Sequence, residues 1–338
     1  MKLPFFAFTA LFPFLLAAQD KSGLHVTDTF HIRSDGGWDY IAVDHDLNRL
    51  YVSHGTQVNI LNETTGDSVG IIPNTTGVHG IAFAPAFGKG YTSNGKLGTV
   101  TVFDLKTNSV LKQVHVGENP DAIMFDDYSK RIYTCNGHSH DMSIIDPQKD
   151  TLVGTIPLGG KPETAVSDGN GKLFVNIEDK SEIAVIDLAK DSVIARWKTG
   201  SGEEPSGLAI DRKNGILFSG CSNKLMIVMD CKTGNVIAEL PIGDGCDGTA
   251  FDPGTMNAFS SNGDGTLTVI HEDSPKKFTV TGNVATKRGA RTLCVDLQTH
   301  KIYLPTAQLG DTPPATADNP RPRPKKIPGT FQVIVVGK

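Results

Sequence analysis

The sequence predicts an all-β protein made of seven similar units, and three observations support that fold class. An aromatic residue recurs within a short strand-like run at nearly constant spacing. Its seven positions, separated by 40, 42, 41, 44, 41 and 44 residues, are Tyr51, Tyr91, Tyr133, Phe174, Phe218, Phe259 and Tyr303. The runs are β-branched and aromatic and are bounded by Asp, Asn, Gly or Pro, whereas no segment shows sustained helical periodicity. A period of about 42 residues with four strands per unit predicts a seven-bladed β-propeller.

The third unit shows how one blade is composed. Residues 122–125 are predicted as its first strand, 131–135 as the second, 142–145 as the third and 152–158 as the last. The polar segment 126–130 supplies the first turn. The other units follow the same order, so each blade is predicted to be a four-stranded antiparallel sheet.

The two ends of the chain predict how the ring closes. The seventh unit runs through 293–296, 301–306 and 331–336 and lacks a fourth strand. Segment 24–32, which precedes the first repeat, has the composition of a strand and can supply it. Pairing these segments would close the ring with an N-terminal strand and leave no unpaired blade.

Two tetrapeptides suggest a family. Tyr91-Thr92-Ser93-Asn94 and Tyr133-Thr134-Cys135-Asn136 resemble the signature of the YVTN β-propeller repeat family, and segment 104–110 resembles its D-x-x-T/S-x-x-V pattern. The resemblance covers essentially all of the chain after residue 18. Four blades depart from it at the Asn position, where they carry His54, Ile177, Cys221 and Thr306. Membership would imply a propeller fold and export, but no particular reaction.

The first 18 residues are predicted to be a secretory signal peptide. Lys2 provides a positive start, an apolar stretch interrupted by Pro4 and Pro13 follows, and the segment ends in Ala17-Ala18. An N-terminal anchor or a core helix is the alternative. No other segment approaches the roughly 20 apolar residues that cross a bilayer. We therefore expect a secreted or periplasmic protein with residues 19–338 as one domain.

Charge and cysteine content exclude several classes of function. The chain carries 32 Lys and Arg against 37 Asp and Glu, and removal of Lys2 with the leader takes the net charge from −5 to −6. This acidic balance argues against binding nucleic acid or an anionic membrane. Five scattered cysteines show no C-x-x-C pair and no haem-attachment motif. A Cys221–Cys246 disulfide and separate thiols both remain open. We expect a monomer without an evident cofactor.

Two series of residues are predicted at one mouth of the central channel, because the loop entering the first strand and the loop after the second strand share a face. Counting twelve residues back from each aromatic (eleven in blade four) gives only polar residues: Asp39, His79, Asp121, Glu163, Ser206, Asp247 and Arg291. Counting three residues forward gives the second series: His54, Asn94, Asn136, Ile177, Cys221, Asn262 and Thr306. Trp38 precedes Asp39 and is a candidate stacking surface.

These residues allow two interpretations. Propellers commonly fill the channel mouth with polar groups bonded to one another and to water. Alternatively, the convergent groups form a ligand site. Oxygen-rich ligation would suit Ca²⁺, Mg²⁺ or Mn²⁺, with these candidate ligands: Asp39, His79, Asp121, Glu163 and Asp247.

The leading functional hypothesis is a binding module that recognises a small polar molecule or another exported protein through the channel mouth. The alternative is a cation-assisted hydrolase or lactonase, in which His79 or a carboxylate acts as general base.

One loop departs from the repeat. Residues 309–330 form a Pro-rich insertion in blade seven that also carries Arg321, Arg323, Lys325 and Lys326. Pro-rich chain favours extended conformations and resists packing. The insertion is predicted either as a surface loop or as a segment lying across the channel mouth, with its cations drawn to the acidic residues.

Overall fold

The computed structural model describes residues 21–34, 36–316 and 322–338. The predicted signal peptide, residues 1–18, lies outside the described residues. The described chain forms seven four-stranded antiparallel sheets arranged as a β-propeller, which confirms the predicted fold class. Its helical content consists of three short 3-10 turns: Pro85–Phe87, Gly95–Leu97 and Glu178–Lys180.

Each of blades one to six uses four consecutive strands in sequence order. Blade one contains β2 (Trp38–Asp44), β3 (Arg49–His54), β4 (Gln57–Asn62) and β5 (Ser68–Ile72). Blade two contains β6 (Val78–Ala84), β7 (Lys89–Asn94), β8 (Thr99–Asp104) and β9 (Val110–His115). Blade three contains β10 (Pro120–Asp126), β11 (Arg131–Asn136), β12 (Asp141–Asp146) and β13 (Thr151–Pro157).

The next three blades repeat this order. Blade four contains β14 (Pro162–Ser167), β15 (Lys172–Ile177), β16 (Glu182–Asp187) and β17 (Ser192–Lys198). Blade five contains β18 (Pro205–Asp211), β19 (Ile216–Cys221), β20 (Leu225–Asp230) and β21 (Val236–Pro241). Blade six contains β22 (Cys246–Asp252), β23 (Asn257–Asn262), β24 (Thr266–Ser274) and β25 (Lys277–Ala285).

Blade seven closes the ring with strands from both ends of the chain. It contains β26 (Cys294–Val295), β27 (Ile302–Thr306), β28 (Gln332–Gly337) and, as its outer strand, β1 (His25–His31). Strand β1 pairs antiparallel with β28, so that His31 lies opposite Gln332 and His25 opposite Gly337. The predicted closure by an N-terminal strand is therefore confirmed.

The hydrophobic core lies between the blades. It divides into seven clusters, and each cluster combines residues of two neighbouring blades. The recurring aromatic residues belong to these clusters and are at most 2% exposed, as Tyr51 and Phe259 illustrate. The 42-residue period therefore reflects one large side chain per blade that fills the gap to its neighbour.

The described cysteines do not pair. All five, at positions 135, 221, 231, 246 and 294, are free thiols, and the first four are buried. Of the two alternatives for Cys221 and Cys246, the structure therefore has separate thiols. Burial raises the pKa of Cys221 to about 12 and that of Cys246 to about 11, which makes both weak nucleophiles. Within the described residues, no helix has the length and apolar character needed to span a membrane.

Candidate binding site at the channel mouth

The candidate site is formed by the second residue of the innermost strand in each of blades one to six and by Arg291, which precedes β26 in blade seven. In blades one to six, the pairing of the first strand with the second shifts register directly after the first residue, as between Pro120 and Ile123 in blade three. Asp121 lies inside this irregular stretch, and its counterparts in the other blades lie at the same place. Such bulges redirect side chains and are common beside functional sites. In blades one to six they turn one polar side chain each toward the channel.

Side chains of the second strands hold these bulges in place. Ser53 Oγ accepts a hydrogen bond from the Asp39 backbone N–H at 2.9 Å and donates to the Tyr40 carbonyl at 2.8 Å. Ser93 Oγ accepts from the Gly80 N–H at 2.9 Å and also bonds the carbonyl of Asp121 in the next blade. The residue two positions after the aromatic therefore fixes the site backbone, a role that sequence analysis did not identify.

We call the seven side chains predicted by counting back from the aromatic residues the mouth ring; hydrogen bonds join five of them, from Ser206 round to His79. From blade five onward, Ser206 donates to Asp247 at 2.7 Å, and Arg291 bonds Asp247 at 2.5 Å. Arg291 also bonds Asp39 at 3.2 Å. His79 continues the circuit through Nδ1, which is 2.5 Å from Asp39.

The series of hydrogen bonds does not continue from His79 in blade two into blades three and four. His79 Nδ1 lies 3.7 Å from Asp121 Oδ1, which extends the contacts to blade three. The next ring member, Glu163, is a second carboxylate, and the described contacts include no hydrogen bond between it and Asp121. Lys161 instead holds Glu163 at 2.7 Å and also binds Glu178. The described contacts therefore place no cation within ion-pair distance of both carboxyls, although the charge of Lys161 also acts on Asp121 at longer range.

The ionisation of these groups reflects burial and crowding. Burial raises the pKa of Asp121 to about 7; His79 opposes the rise, and Asp39 and Asp247 add to it. Burial followed by the charge of Asp121 raises the pKa of Glu163 to about 8, against the opposing effect of Lys161. Both carboxyls therefore retain protons near neutral pH that an ordinary surface carboxyl would lose.

The pKa of His79 is raised, whereas the pKa of an ordinary buried histidine is lowered. Burial alone would lower its pKa, but the hydrogen bond to Asp39 and the charges of Asp121, Asp39 and Glu163 raise the pKa to about 9. The imidazole is consequently protonated at neutral pH and acts as a cation of the ring. This argues against the predicted role of His79 as a general base.

Tyr40 is a site residue that sequence analysis missed. Burial raises the pKa of its hydroxyl well above the usual value, and the charges of Asp121, Glu163, Asp39 and Asp247 raise it further. The phenol therefore lies within electrostatic range of all four ring carboxylates and stays neutral. Its position in the sequence directly after Asp39 was the available signal.

The predicted metal ligands are only partly brought together. One ligand atom each from Asp39, His79 and Asp121 lies within 4.8 Å of the others. Glu163 is held apart by Lys161, and Asp247 by Arg291. A divalent cation at this place would have to displace the proton on His79. The oxygen ligands that the described ring offers to Ca²⁺, Mg²⁺ or Mn²⁺ are therefore chiefly the carboxylates of Asp39 and Asp121.

The second predicted series does not form a ring that faces the channel, and that expectation is wrong. Asn94, Asn136 and Asn262 are fully buried inside their own blades. Asn94 Nδ2 donates to Thr101 at 2.9 Å, and Asn262 Nδ2 donates to Thr268 at 3.1 Å. Because β-strand side chains alternate, these amides fasten the second strand to the third rather than facing solvent.

Two further predicted residues have structural contacts. His54 is 2% exposed, bonds Ser34 Oγ through Nδ1 at 2.9 Å and stacks on Phe331 with ring centroids 4.0 Å apart. Trp38 is 8% exposed, and its indole N–H donates to the Gly289 carbonyl at 3.1 Å. Trp38 also packs against Phe331. It is therefore part of the blade one–seven core, and the prediction of an open stacking surface is wrong.

The described parts of the Pro-rich insertion fold back at the edge of the mouth. The Gly310 N–H donates to the Lys325 carbonyl at 2.8 Å, and Leu309 and Lys326 form a bridge. Lys326 Nζ lies 4.9 Å from the centroid of the Trp38 ring. Burial and then the charge of Arg291 lower the pKa of Lys326. The insertion thus reaches the mouth where blades seven and one meet. The charged ring residue near Lys326 at this place is the cation Arg291.

Comparisons with known proteins support the propeller fold and do not indicate a function. No protein-family model matches the sequence, and no curated protein matches it. The chain is similar to a solved structure titled hydrazine synthase, from Kuenenia stuttgartiensis, with a TM-score of 0.72 and 16% sequence identity. That similarity covers 81% of this chain and 94% of the other. At this level of identity the likeness shows the propeller fold alone.

Proposed function

We propose that this chain is an exported binding protein that takes up a positively charged group at the channel mouth, between Asp121 and Glu163. The observation that carries the proposal is the interruption of the mouth ring at these two carboxylates. Elsewhere, from Ser206 round to His79, neighbouring members are joined by hydrogen bonds. The expectation of export rests on the signal-peptide pattern of residues 1–18.

The charge of the site favours a cationic ligand. Five carboxylates meet there: Asp39, Asp121, Glu163, Glu178 and Asp247. Three cations oppose them: His79, Lys161 and Arg291. Ionisation of both Asp121 and Glu163 would place two excess negative charges in a largely buried site, where like charges are costly, and the raised pKa values of both carboxyls reflect that cost. A cation bound between them would relieve this repulsion and favour the ionised form of both carboxyls.

A titration of the purified protein tests the proposal. Calorimetry with CaCl₂, MgCl₂, MnCl₂ and propylammonium chloride should show saturable binding of at least one of them. The double variant Asp121→Asn/Glu163→Gln should weaken that binding at least tenfold, because it removes both charges while keeping side-chain shape. Asp46→Asn/Asp127→Asn is the matched control, since these exposed carboxylates lie in turns at the opposite end of the blades.

Two results would contradict the proposal. One is the absence of saturable binding for all four probes. The other is equal affinity of the wild-type protein and the Asp121→Asn/Glu163→Gln variant.

A hydrolase is the second candidate function, and one observation favours it. A general base works best when its pKa lies near the working pH, and the pKa of Asp121 is about 7. In this version Asp121 activates a water molecule and His79 stabilises developing negative charge. Hydrolysis of simple lactones by the wild-type protein, abolished in Asp121→Asn, would support it. A wild-type rate equal to that of buffer would exclude this activity for those lactones.

A further inference from the structure

At the end of the propeller opposite the mouth ring, a hairpin turn closes the gap between most neighbouring blades. This turn joins the third strand of a blade to its fourth and contacts the preceding blade. Five interfaces have such a contact: Asn108 with Tyr51, Asp150 with Tyr91, Asp191 with Arg131, Gly234 with the Trp197 ring and Gly66 with the Phe30 ring. The turn therefore covers each of these interfaces.

Within the described chain, blade seven has no such turn, because its third and fourth strands come from opposite ends of the sequence. Strand β28 is the third and strand β1 is the fourth. The interface of blade six with blade seven is consequently open, and a pocket of about 840 Å³ lies there. Phe259, the recurring aromatic residue of blade six, lines this pocket, which we call the six–seven pocket.

Blade six also lacks the cation that binds this turn elsewhere. In blades one to three, the residue two positions before the aromatic is Arg49, Lys89 or Arg131, and each bonds the turn of the next blade. The corresponding residue of blade six is Asn257, whose Oδ1 lies 3.0 Å from His271 Nδ1 in the same blade. The six–seven pocket thus lies where the described chain has neither partner of the usual inter-blade contact.

Both blades contribute apolar surface to the six–seven pocket. Phe259 comes from blade six, Phe30 comes from blade seven, and Leu24 precedes β1. The backbone N–H of Lys21 donates to the Thr281 carbonyl of blade six at 2.8 Å, which holds the segment before β1 beside the pocket. Small-molecule sites typically have volumes of about 300–1,000 Å³ and largely apolar walls. The size and lining of the pocket therefore suit a small molecule with an apolar part.

Lysine side chains supply positive charge to the six–seven pocket. Lys21 and Lys301 both line it, and neither belongs to an ion pair among the described residues. Lys301 is partly buried, whereas Lys21 is exposed. A lysine beside an apolar wall rests its methylenes on that wall and presents its ammonium group to an acceptor. Lys301 is therefore the expected binding group for a negatively charged ligand.

The two aspartates that line the pocket leave these lysines available. Asp252 is buried, and its carboxylate has three hydrogen-bond partners at 2.8 Å, one of which is His300. Asp28 is exposed and accepts a hydrogen bond from the adjacent Thr29 N–H at 2.7 Å. The described contacts include no ion pair between either aspartate and a lysine of the pocket.

We propose that the six–seven pocket binds an amphipathic carboxylate, with its charged group at Lys301 and its alkyl part against Phe30 and Phe259. An ammonium group donates a charge-assisted hydrogen bond to a carboxylate, and each methylene moved from water onto an apolar wall adds to binding. An eight-carbon carboxylate occupies roughly 300 Å³ at about 30 Å³ per non-hydrogen atom, so it fits within the pocket. This site is separate from the channel mouth and does not depend on the function proposed there.

Three probes separate the contributions of charge and chain. Calorimetry of the expected mature chain, residues 19–338, should show saturable binding of octanoate. Octanoate should bind at least tenfold more tightly than acetate, which has the same charged group but almost no apolar surface to bury. It should bind at least threefold more tightly than 1-octanol, which has the same chain without the charge.

Substitution of Lys301 tests the charged group. Lys301→Gln should weaken octanoate binding at least threefold and leave 1-octanol binding unchanged, because it removes the ammonium group alone. Lys172→Gln is the position-matched control. Lys172 lies two residues before Phe174, as Lys301 lies two residues before Tyr303, but it does not line the pocket. The affinity of this control for octanoate should equal that of the wild type.

Filling the pocket tests its location. Thr281 lines the pocket and is the bulged residue of β25, so Thr281→Phe adds a ring to the pocket wall and should weaken octanoate binding at least tenfold. Val153 is the corresponding bulged residue of β13 in blade three and is exposed outside the pocket. Val153→Phe should therefore bind octanoate as the wild type does. Thermal unfolding of both variants checks that each is folded.

Several outcomes would overturn the inference. They are the absence of saturable octanoate binding, equal affinity for octanoate and 1-octanol, and equal affinity of Thr281→Phe and Val153→Phe for octanoate. If Thr281→Phe does not fold, the comparison of Lys301→Gln with Lys172→Gln decides. The variant Asp121→Asn/Glu163→Gln should bind octanoate normally, and a loss of binding there would move the ligand to the channel mouth. Failure of cations to bind at the mouth would leave this inference intact.

Discussion

The charged residues of the mouth ring couple protonation to stability. The pKa of His79 rises from 6.5 to about 9 on folding, so its stabilising contribution is complete below pH 6.5 and is lost as the pH approaches 9. Asp121 and Glu163 also have raised pKa values, of about 7 and about 8. For these carboxyls, too, the folded state holds protons more tightly than the unfolded chain does. All three groups therefore favour the folded state at lower pH.

We predict that the free energy of unfolding falls by at least about 2 kcal/mol between pH 6 and pH 8.5, since one unit of pKa shift corresponds to about 1.4 kcal/mol. Urea denaturation at several pH values, in the presence of a chelator, measures this. The variant Asp121→Asn/Glu163→Gln should show a clearly smaller fall, which separates the ring from the other histidines. A free energy that stays constant or rises over this interval would contradict the assignment.

At the residue scale, the structure brings most of the first predicted series into contact and buries the Asn residues of the second inside their blades. The positions of Asp121 and Glu163 followed from counting back from the aromatics, because each innermost strand begins at the same place in the repeat. The Asn series failed because a polar residue at a strand end satisfies its amide inside the blade, as Asn94 does with Thr101. Sequence spacing alone does not reveal which face an individual side chain occupies.

At the scale of elements, the turn before the last strand ties blades two and three to their preceding neighbours. The turn before the last strand ends in a residue with positive φ: Asn108 in blade two (61°) and Asp150 in blade three (52°). Asn108 Oδ1 accepts hydrogen bonds from Tyr51 at 3.3 Å and from Arg49 at 3.2 Å, both in blade one. Asp150 makes the corresponding contacts with Tyr91 and Lys89 of blade two. The turn residue thus has both a conformational and an inter-blade role.

Substitution of Asn108 should separate these two roles. Asn108→Gly removes the inter-blade hydrogen bonds but suits the left-handed backbone, whereas Asn108→Ala removes the same bonds and adds strain. We expect both variants to be less stable than the wild type, and Ala to be less stable than Gly by about 1 kcal/mol. Chemical denaturation measures both differences, with the exposed Asn235→Ala as control. Equal stability of the Gly and Ala variants would rule out the conformational role.

Elements were predictable where they repeat and unpredictable where they do not. The four strands of a blade follow from alternation and turn residues, and those predicted for blades three and seven lie within two residues of their observed bounds. The bulge at Asp121 was not predicted, because a register shift of two residues does not require any particular amino acids and so cannot be recognised in the sequence. The course of the Pro-rich insertion depends on tertiary contacts such as Lys326 with Trp38, which no local pattern specifies.

For the whole molecule, the seam between blades one and seven joins the two ends of the chain. At the end opposite the mouth ring, Tyr303 donates to Glu63 Oε1 at 3.1 Å, and His45 Nδ1 lies 3.1 Å from Asp296. These contacts cross from blade seven to blade one and bury two carboxylates. Strand β1 adds a hydrogen-bonded edge, and its Phe30 packs into the same seam with Val333. Closure therefore depends on packing, on polar contacts and on one strand from the N-terminal end.

Removal of the closing strand tests this dependence for the whole ring. A chain beginning at Gly36 loses the pairing of β1 with β28 and the packing of Phe30, so its melting temperature should fall by about 10 °C or more relative to a chain beginning at Lys21. It should also aggregate more readily, because β28 becomes an exposed apolar edge. Phe30→Ala in the longer chain removes the packing but keeps the pairing, and should lie between the two. If the chain beginning at Gly36 melts at the same temperature as the longer one, β1 does not close the ring.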